Sequence, residues 1–173
     1  IFALWDGEEW GLLGSTEWAE EHAEELRQKA VAYLNTDSYS AGRLNAGGSH
    51  TLTTFVRQVA RDVVDPITGR SAADVAIANE LTMAKTAADS GTITTRGFRV
   101  SPLGSGTDFE AFLEHLGVPS VDYGFDGAPT QGAYHSIYDS YDHFTRFVDP
   151  GFVYGRAQAA AVGTFAMRLA EAP

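Results

Sequence analysis

Trp5-Asp6-Gly7-Glu8-Glu9-Trp10-Gly11 joins an apolar run to a stretch with helical spacing, and its two adjacent carboxylates set the terms for the rest of the chain. Two neighbouring acids just past the end of a buried strand can divide their work, one binding a cation while the other moves a proton. The same pair also suits the first turn of a helix, where the macrodipole favours negative charge and no chemistry is needed. What separates these readings is the company that Glu8 and Glu9 keep further along.

Upstream, Ile1 to Trp5 is continuous apolar and aromatic sequence of the kind buried at a sheet centre. Downstream, Gly11 to Gly14 with Ser15 and Thr16 supplies turn and capping chemistry, and a helix is expected from Thr16 to Lys29. Trp18, His22 and Leu26 fall on one face of it, which makes His22 a packed or surface histidine rather than a ligand. Val31-Ala32-Tyr33-Leu34-Asn35 reads as the next strand, and strand, helix, strand at this length favours a parallel pair with a right-handed crossover. Asp37 follows that strand. The carboxyl ends of parallel strands share one edge, so Glu8, Glu9 and Asp37 are expected to emerge together.

Composition limits what these acids can do. The chain has 173 residues, 44% hydrophobic and 12% aromatic, which suits one domain spanning 1–173. A formal charge of -11 with only 12 Lys and Arg argues against nucleic acid as a partner, because such binding depends on cations that displace counterions. With no cysteine there is no disulfide and no thiolate ligand, so a metal would be held by His, Asp and Glu. No apolar run approaches the roughly 20 residues that cross a bilayer, and no signal peptide opens the chain. It starts inside a strand-like run without Met, and is expected to be a fragment of a longer protein.

The middle of the chain carries less chemistry. Ser38 to Ser49 reads as a loop with a short hairpin around Gly47-Gly48. Leu52, Phe55, Val56, Val59, Val63 and Val64 fit an amphipathic helix ending at Asp65-Pro66. Ala72 to Ala88 is a further helix candidate, and Gly91 to Gly106 reads as a long surface loop. Leu103-Gly104-Ser105-Gly106-Thr107-Asp108 leads into a helix through Leu116, and Val118 to Tyr123 is a strand. Ser105 does not fit a hydrolase nucleophile, whose elbow is Gly-x-Ser-x-Gly after a strand, because its glycines are immediate neighbours. Asp108 reads as an anchoring acid at a helix start. In Tyr134-His135-Ser136, His135 is the best ligand candidate among five histidines, crowded by aromatic and acidic residues. Gly151 to Ala170 closes the chain as a helix against the sheet.

Four ordered segments together resemble the co-catalytic zinc exopeptidases, the family that includes aminopeptidase Y and glutamate carboxypeptidase. They are Trp5-Asp6-Gly7-Glu8-Glu9 with Gly11 to Trp18, Asn35-Thr36-Asp37-Ser38, Leu103 to Asp108, and Tyr134-His135-Ser136. The resemblance implies a three-layer α/β/α domain with a mixed, largely parallel sheet, lacking its N-terminal part. It also implies hydrolysis of a terminal peptide bond at two zinc ions. By resemblance Glu8 is the general base, Glu9 and His135 share one zinc, and Asp37 binds the other. Tyr134, Ser105 and Gly106 correspond to the substrate side. Glu17 and Glu20 resemble part of a structural calcium site, but acids on a helix surface are the safer account.

The departures from the family pattern carry expectations of their own. The pattern places a His and a bridging Asp upstream of Glu8-Glu9, and this chain holds neither. Since a catalytic zinc takes about three protein ligands, the chain by itself is expected to bind zinc weakly or not at all and to be inactive. Glutamate-selective relatives carry arginines where this chain has Asp122-Tyr123-Gly124-Phe125, which puts selectivity for acidic substrates in doubt. The alternative is a non-catalytic recognition module resembling the transferrin receptor ectodomain, against which stands the joint presence of Glu8, Glu9, Asp37 and His135. An unpaired sheet edge invites a homodimer. Relatives of this kind are secreted, periplasmic or anchored on the outer face of a membrane.

Overall fold

A computed structural model describes residues 1–127 and 133–172. Its centre is a mixed sheet of three strands, β1 (Tyr33–Asn35), β2 (Gly42–Gly48) and β3 (Ser120–Gly127), in the order β1-β3-β2. β1 runs parallel to β3 and β2 antiparallel to it. The helices are α1 (Leu13–Glu21), α2 (Ala23–Lys29), α3 (Thr53–Asp62), α4 (Ala72–Thr82), α5 (Ala87–Arg96), the short α6 (Tyr141–His143) and α7 (Val153–Ala170). π-helical turns occupy Ala111–His115 and Phe144–Val148.

The pleat of β3 divides the molecule into layers, because alternate side chains leave a strand on opposite faces. Val121, Tyr123 and Phe125 point into one core with Val56, Val59 and Ala60 of α3 and Ala161 and Phe165 of α7. On the opposite face, Ala19 of α1 packs with Ala111, Phe112, Leu116 and Val118, and Trp5, Trp18 and Tyr33 close around them. Tyr33 stacks on Phe112 with ring centroids 4.0 Å apart and planes 7° from parallel. Helices therefore cover both faces, giving the expected α/β/α arrangement.

Six local expectations are corrected. Ile1 to Trp5 is not a strand, and Ile1, Phe2 and Leu4 are fully or almost fully exposed. A strand exists through the N–H and C=O groups of a neighbour, and among the described residues none is offered to this stretch. The strand, helix, strand unit expected from Ile1 to Asn35 is accordingly absent. The single helix Thr16 to Lys29 is two helices meeting at His22. There the imidazole stacks on Trp18 at 4.3 Å and its Nδ1 lies 2.9 Å from the Trp18 carbonyl.

Ser38 to Ser49 contains β2 rather than a loop. Its glycines are needed where the backbone comes close to a neighbour, since a Cβ on Gly42 would collide with the Asp126 backbone. The helix expected over Ala72 to Ala88 stops at Thr82, and Thr86 caps a new one through a reciprocal bond with Asp89. The first six residues of the surface loop expected over Gly91 to Gly106 are consequently helix. The remainder runs along β2, with the Ser101 N–H donating to Ala46 O at 3.0 Å and Gly48 N–H donating to Ser101 O at 2.9 Å. The helix from Asp108 to Leu116 is mostly a π-helical turn.

α7 starts where Asp149 makes it start. This carboxylate is 2% exposed. It accepts from the N–H groups of Val153, Tyr154 and Gly155 at 3.0, 3.2 and 2.9 Å, donors the first turn leaves without carbonyl partners.

Candidate active site

The acidic turn is built by left-handed backbone at Gly7 (φ 65°) and Gly11 (φ 101°), which bracket the one-turn helix Glu8–Trp10. Such torsions favour glycine because no Cβ meets the carbonyl. The turn is tied to α1 by Leu13 N–H donating to Gly7 O at 3.1 Å and Gly14 N–H donating to Asp6 O at 3.1 Å. Trp5 anchors it from the other side. Its indole N–H donates to the Tyr33 hydroxyl at 2.9 Å, and that hydroxyl donates to Asn35 Oδ1 at 3.1 Å. The N-terminal run thus keeps one firm attachment to β1 without pairing with it.

Glu9 Oε1 and His135 Nε2 are 2.8 Å apart, although both side chains are more than half exposed. His135 has φ 57°, an unusual torsion for a residue with a Cβ, and its ring stacks on Tyr134 at 3.8 Å. Glu8 stands in the same field. Lost hydration raises its pKa above the ordinary carboxylate value, Asp37, Glu9 and Asp108 raise it further, and His135 pulls it down. The Asp37 pKa is also raised, by lost hydration first and then by Asp122, Asp108 and Glu9. Tyr134 follows the same pattern, with lost hydration ahead of the charges of Glu9, Asp37, Glu8 and Asp139.

A cleft of about 760 Å³ opens beside this cluster, and Asp37, Ser105 and Tyr134 are among its walls. Glu8, Glu9, His135 and Gly106 are not part of its lining, and Tyr134 links the two regions by its stack on His135. The Gly106 N–H is occupied by the Glu110 carboxylate. Sequence reasoning assigned no role to Asp122. The parallel register sets Asn35 beside Asp122, and Asn35 Nδ2 donates to Asp122 Oδ1 at 2.9 Å. Its sequence signal is an acid between the apolar Val121 and Tyr123 of β3. Asp108 is 9% exposed and its Oδ1 has no hydrogen-bond partner. Glu20 lies 3.6 Å from His115, an exposed pair on the α1 side.

Among the described residues, no three His, Asp or Glu side chains are gathered closely enough to hold a metal ion. Glu9 and His135 nevertheless supply an oxygen and a nitrogen in contact, a donor set suited to two positions of a zinc shell. The orphaned oxygen of Asp108 adds a buried acceptor that contributes to the field at Glu8 and Asp37.

The sequence pattern of peptidase family M28 matches residues 1–148. The chain belongs to this family. Relatives include the probable glutamate carboxypeptidase LAMP1 of Arabidopsis thaliana, 38% identical over 173 residues, covering 99% of this chain and 23% of that protein. The probable glutamate carboxypeptidase VP8 of Zea mays is 38% identical over 176 residues, covering 100% and 22%. Aminopeptidase NAALADL1 of Mus musculus is 32% identical over 182 residues, covering 99% and 23%. This M28 chain therefore spans less than a quarter of the length of these curated relatives.

Proposed function

We propose that the protein carrying this chain is a metal-dependent exopeptidase that hydrolyses a terminal peptide bond, with Glu8 as general base. The observation that carries this reading is the Glu9–His135 contact at 2.8 Å, formed next to a carboxyl whose pKa is raised. Glu9 and His135 would hold one zinc, and Asp37 would contribute to a second. When bound, such ions supply Lewis acidity and an acidified water.

The remaining steps belong to the chain. The Glu8 carboxylate takes a proton from the attacking water and delivers it to the leaving amine. A base with a raised pKa does both better near neutral pH than an ordinary glutamate. The Tyr134 hydroxyl, whose raised pKa keeps it protonated, donates to the oxyanion that develops on the carbonyl. Ser105 forms part of the substrate wall.

Zinc titration calorimetry on this chain, beside a longer protein extended upstream of Ile1, tests the reading. The longer protein is expected to bind two zinc ions and cleave peptides, with Glu8→Gln keeping the metal and losing turnover. A longer protein that takes up no zinc overturns the ligand assignments and favours a non-catalytic recognition module. Two tightly held ions on this chain alone would overturn the expectation that its site is incomplete.

A further inference from the structure

Four stretches carry the candidate site residues: the acidic turn with Glu8 and Glu9, the end of β1 with Asp37, the 103–108 loop with Ser105, and Tyr134-His135. Glu9 reaches the last of these through His135. The other three meet at Tyr33 and Asn35, neither of which lines the cleft.

The Tyr33 hydroxyl works in both directions, as a phenol can. It accepts from the Trp5 indole N–H at 2.9 Å and donates to Asn35 Oδ1 at 3.1 Å. Asn35 Nδ2 in turn donates to Thr107 Oγ1 at 3.4 Å and to Asp122 Oδ1 at 2.9 Å. Asn35 stands two residues before Asp37, and Thr107 two after Ser105. One chain of hydrogen bonds therefore runs from the acidic turn, through β1, to the loop of the substrate wall.

Its members have little freedom to turn away. Asn35 is 4% exposed and Thr107 6%, and the half-buried Tyr33 ring lies flat against Phe112. Linked hydrogen bonds polarise and strengthen one another. The acidic turn depends on such a tie, since its bracketing glycines, Gly7 and Gly11, leave its backbone permissive. Among the described residues, Trp5 to Tyr33 is the one hydrogen bond that joins residues 1–11 to the three-stranded sheet. Packing alone does not call for the hydroxyl, because a phenylalanine ring would stack on Phe112 equally well.

We propose that Tyr33 is a positioning residue for the peptidase reaction, its hydroxyl setting Glu8 and Glu9 in register with Asp37 and with the substrate wall at Ser105. This rests on the exopeptidase reading and adds the device that assembles its site. A misplacement of about 1 Å costs on the order of 10²-fold in rate. Removing a group that orients a metal ligand from outside costs about 10–100-fold in affinity or activity.

The experiment uses the longer protein, extended upstream of Ile1 and loaded with zinc, and short peptides with free termini. Tyr33→Phe removes both hydroxyl bonds and keeps the ring on Phe112. At a temperature where circular dichroism shows the fold intact, it is expected to lower kcat on the order of tenfold or more with KM little changed. In calorimetry it is expected to raise the zinc Kd by about tenfold or more. Trp5→Phe removes the donor of the first bond, and the double variant is expected to lose less than the product of the two single losses. Phe112→Leu breaks the stack and keeps both bonds, and is expected to lower the melting temperature without moving kcat. Unchanged kcat and zinc Kd in Tyr33→Phe, or a fall in kcat for Phe112→Leu as large as that for Tyr33→Phe, overturns the proposal and leaves the exopeptidase reading intact. An unaltered longer protein that cleaves no peptide overturns that reading and the proposal with it.

Discussion

Glu9 Oε1 meets His135 Nε2 at 2.8 Å across a sequence separation of 126 residues. An exposed contact of this kind contributes at most ~1 kcal/mol to stability, because water competes for both partners. The pair therefore makes little sense as a fastener, and it sits on the strained backbone of His135. Glu9→Gln and His135→Asn are each expected to change the unfolding free energy by less than ~1 kcal/mol. In the longer protein the same substitutions are expected to lower zinc stoichiometry. A large loss of stability with unchanged zinc would mark the contact as structural.

Gly14 carries the opposite sensitivity. A Cβ at this position would stand 2.6 Å from the Asp6 carbonyl oxygen and 3.1 Å from the Asp6 nitrogen, both backbone atoms that cannot yield without moving the acidic turn. Gly14→Ala is expected to destabilise by about 1–3 kcal/mol and to depress peptidase activity of the longer protein. Gly163 is also helical but has open space where its Cβ would go. Gly163→Ala is expected to stabilise by roughly 0.5–1 kcal/mol. Urea unfolding of the two variants reads the contrast in sign.

Asp149 is the predicted weak point of α7. Replacing it by Ala strands three N–H groups that its carboxylate now satisfies. The expected loss is about 2–4 kcal/mol, more than an exposed cap because the site is buried. Asn, which keeps an acceptor oxygen, is expected to recover part of this. Equal melting temperatures for Asp149→Ala and the unaltered chain would refute the capping role.

The Tyr33 phenol is pushed up to about 12, mainly by burial, with Asp108 and Asp122 adding to the rise and the Trp5 hydrogen bond opposing it. The neutral phenol is the form the fold favours. Its stabilisation is complete below the unfolded value of roughly 10 and is lost as pH climbs through the folded value, so stability falls with pH across that window. Phenolate absorbance compared with Tyr33→Phe should show one tyrosine ionising late. Trp5→Phe removes the opposing hydrogen bond and is expected to move that ionisation higher still. A normal Tyr33 titration would contradict the burial of the hydroxyl.

Much of the fold was legible because local periodicity reports burial. The apolar spacing of Val56 and Val59 marks α3, which ends at Asp62 rather than at the expected Asp65-Pro66, and the small-residue helix expected over Gly151 to Ala170 is present as α7 from Val153. β2 was missed because its Gly-rich sequence carries turn chemistry. It is a strand through its register with β3, Gly42 opposite Gly127 through Gly48 opposite Val121. Ile1 to Trp5 was misread for the converse reason. Its composition is that of a central strand, but pairing is supplied by another segment, and strand propensity without a partner leaves apolar side chains in water.

Sequence by itself determined the chemistry available: no thiolate, an excess of acid, an adjacent Glu8-Glu9 pair, and a His135 flanked by Tyr134. Spacing along the chain carries the residue types of a site, and their order was enough to point to a family. Tertiary structure alone decided which of these residues meet. It brought Glu9 to His135, set Asp37, Ser105 and Tyr134 along one cleft, and left Gly106 occupied by Glu110. It also set Asn35 against Asp122 by the parallel register of β1 and β3. Contacts between residues this far apart depend on chain closure and strand register, which are properties of the whole packed sheet and leave no local mark on the residues that make them.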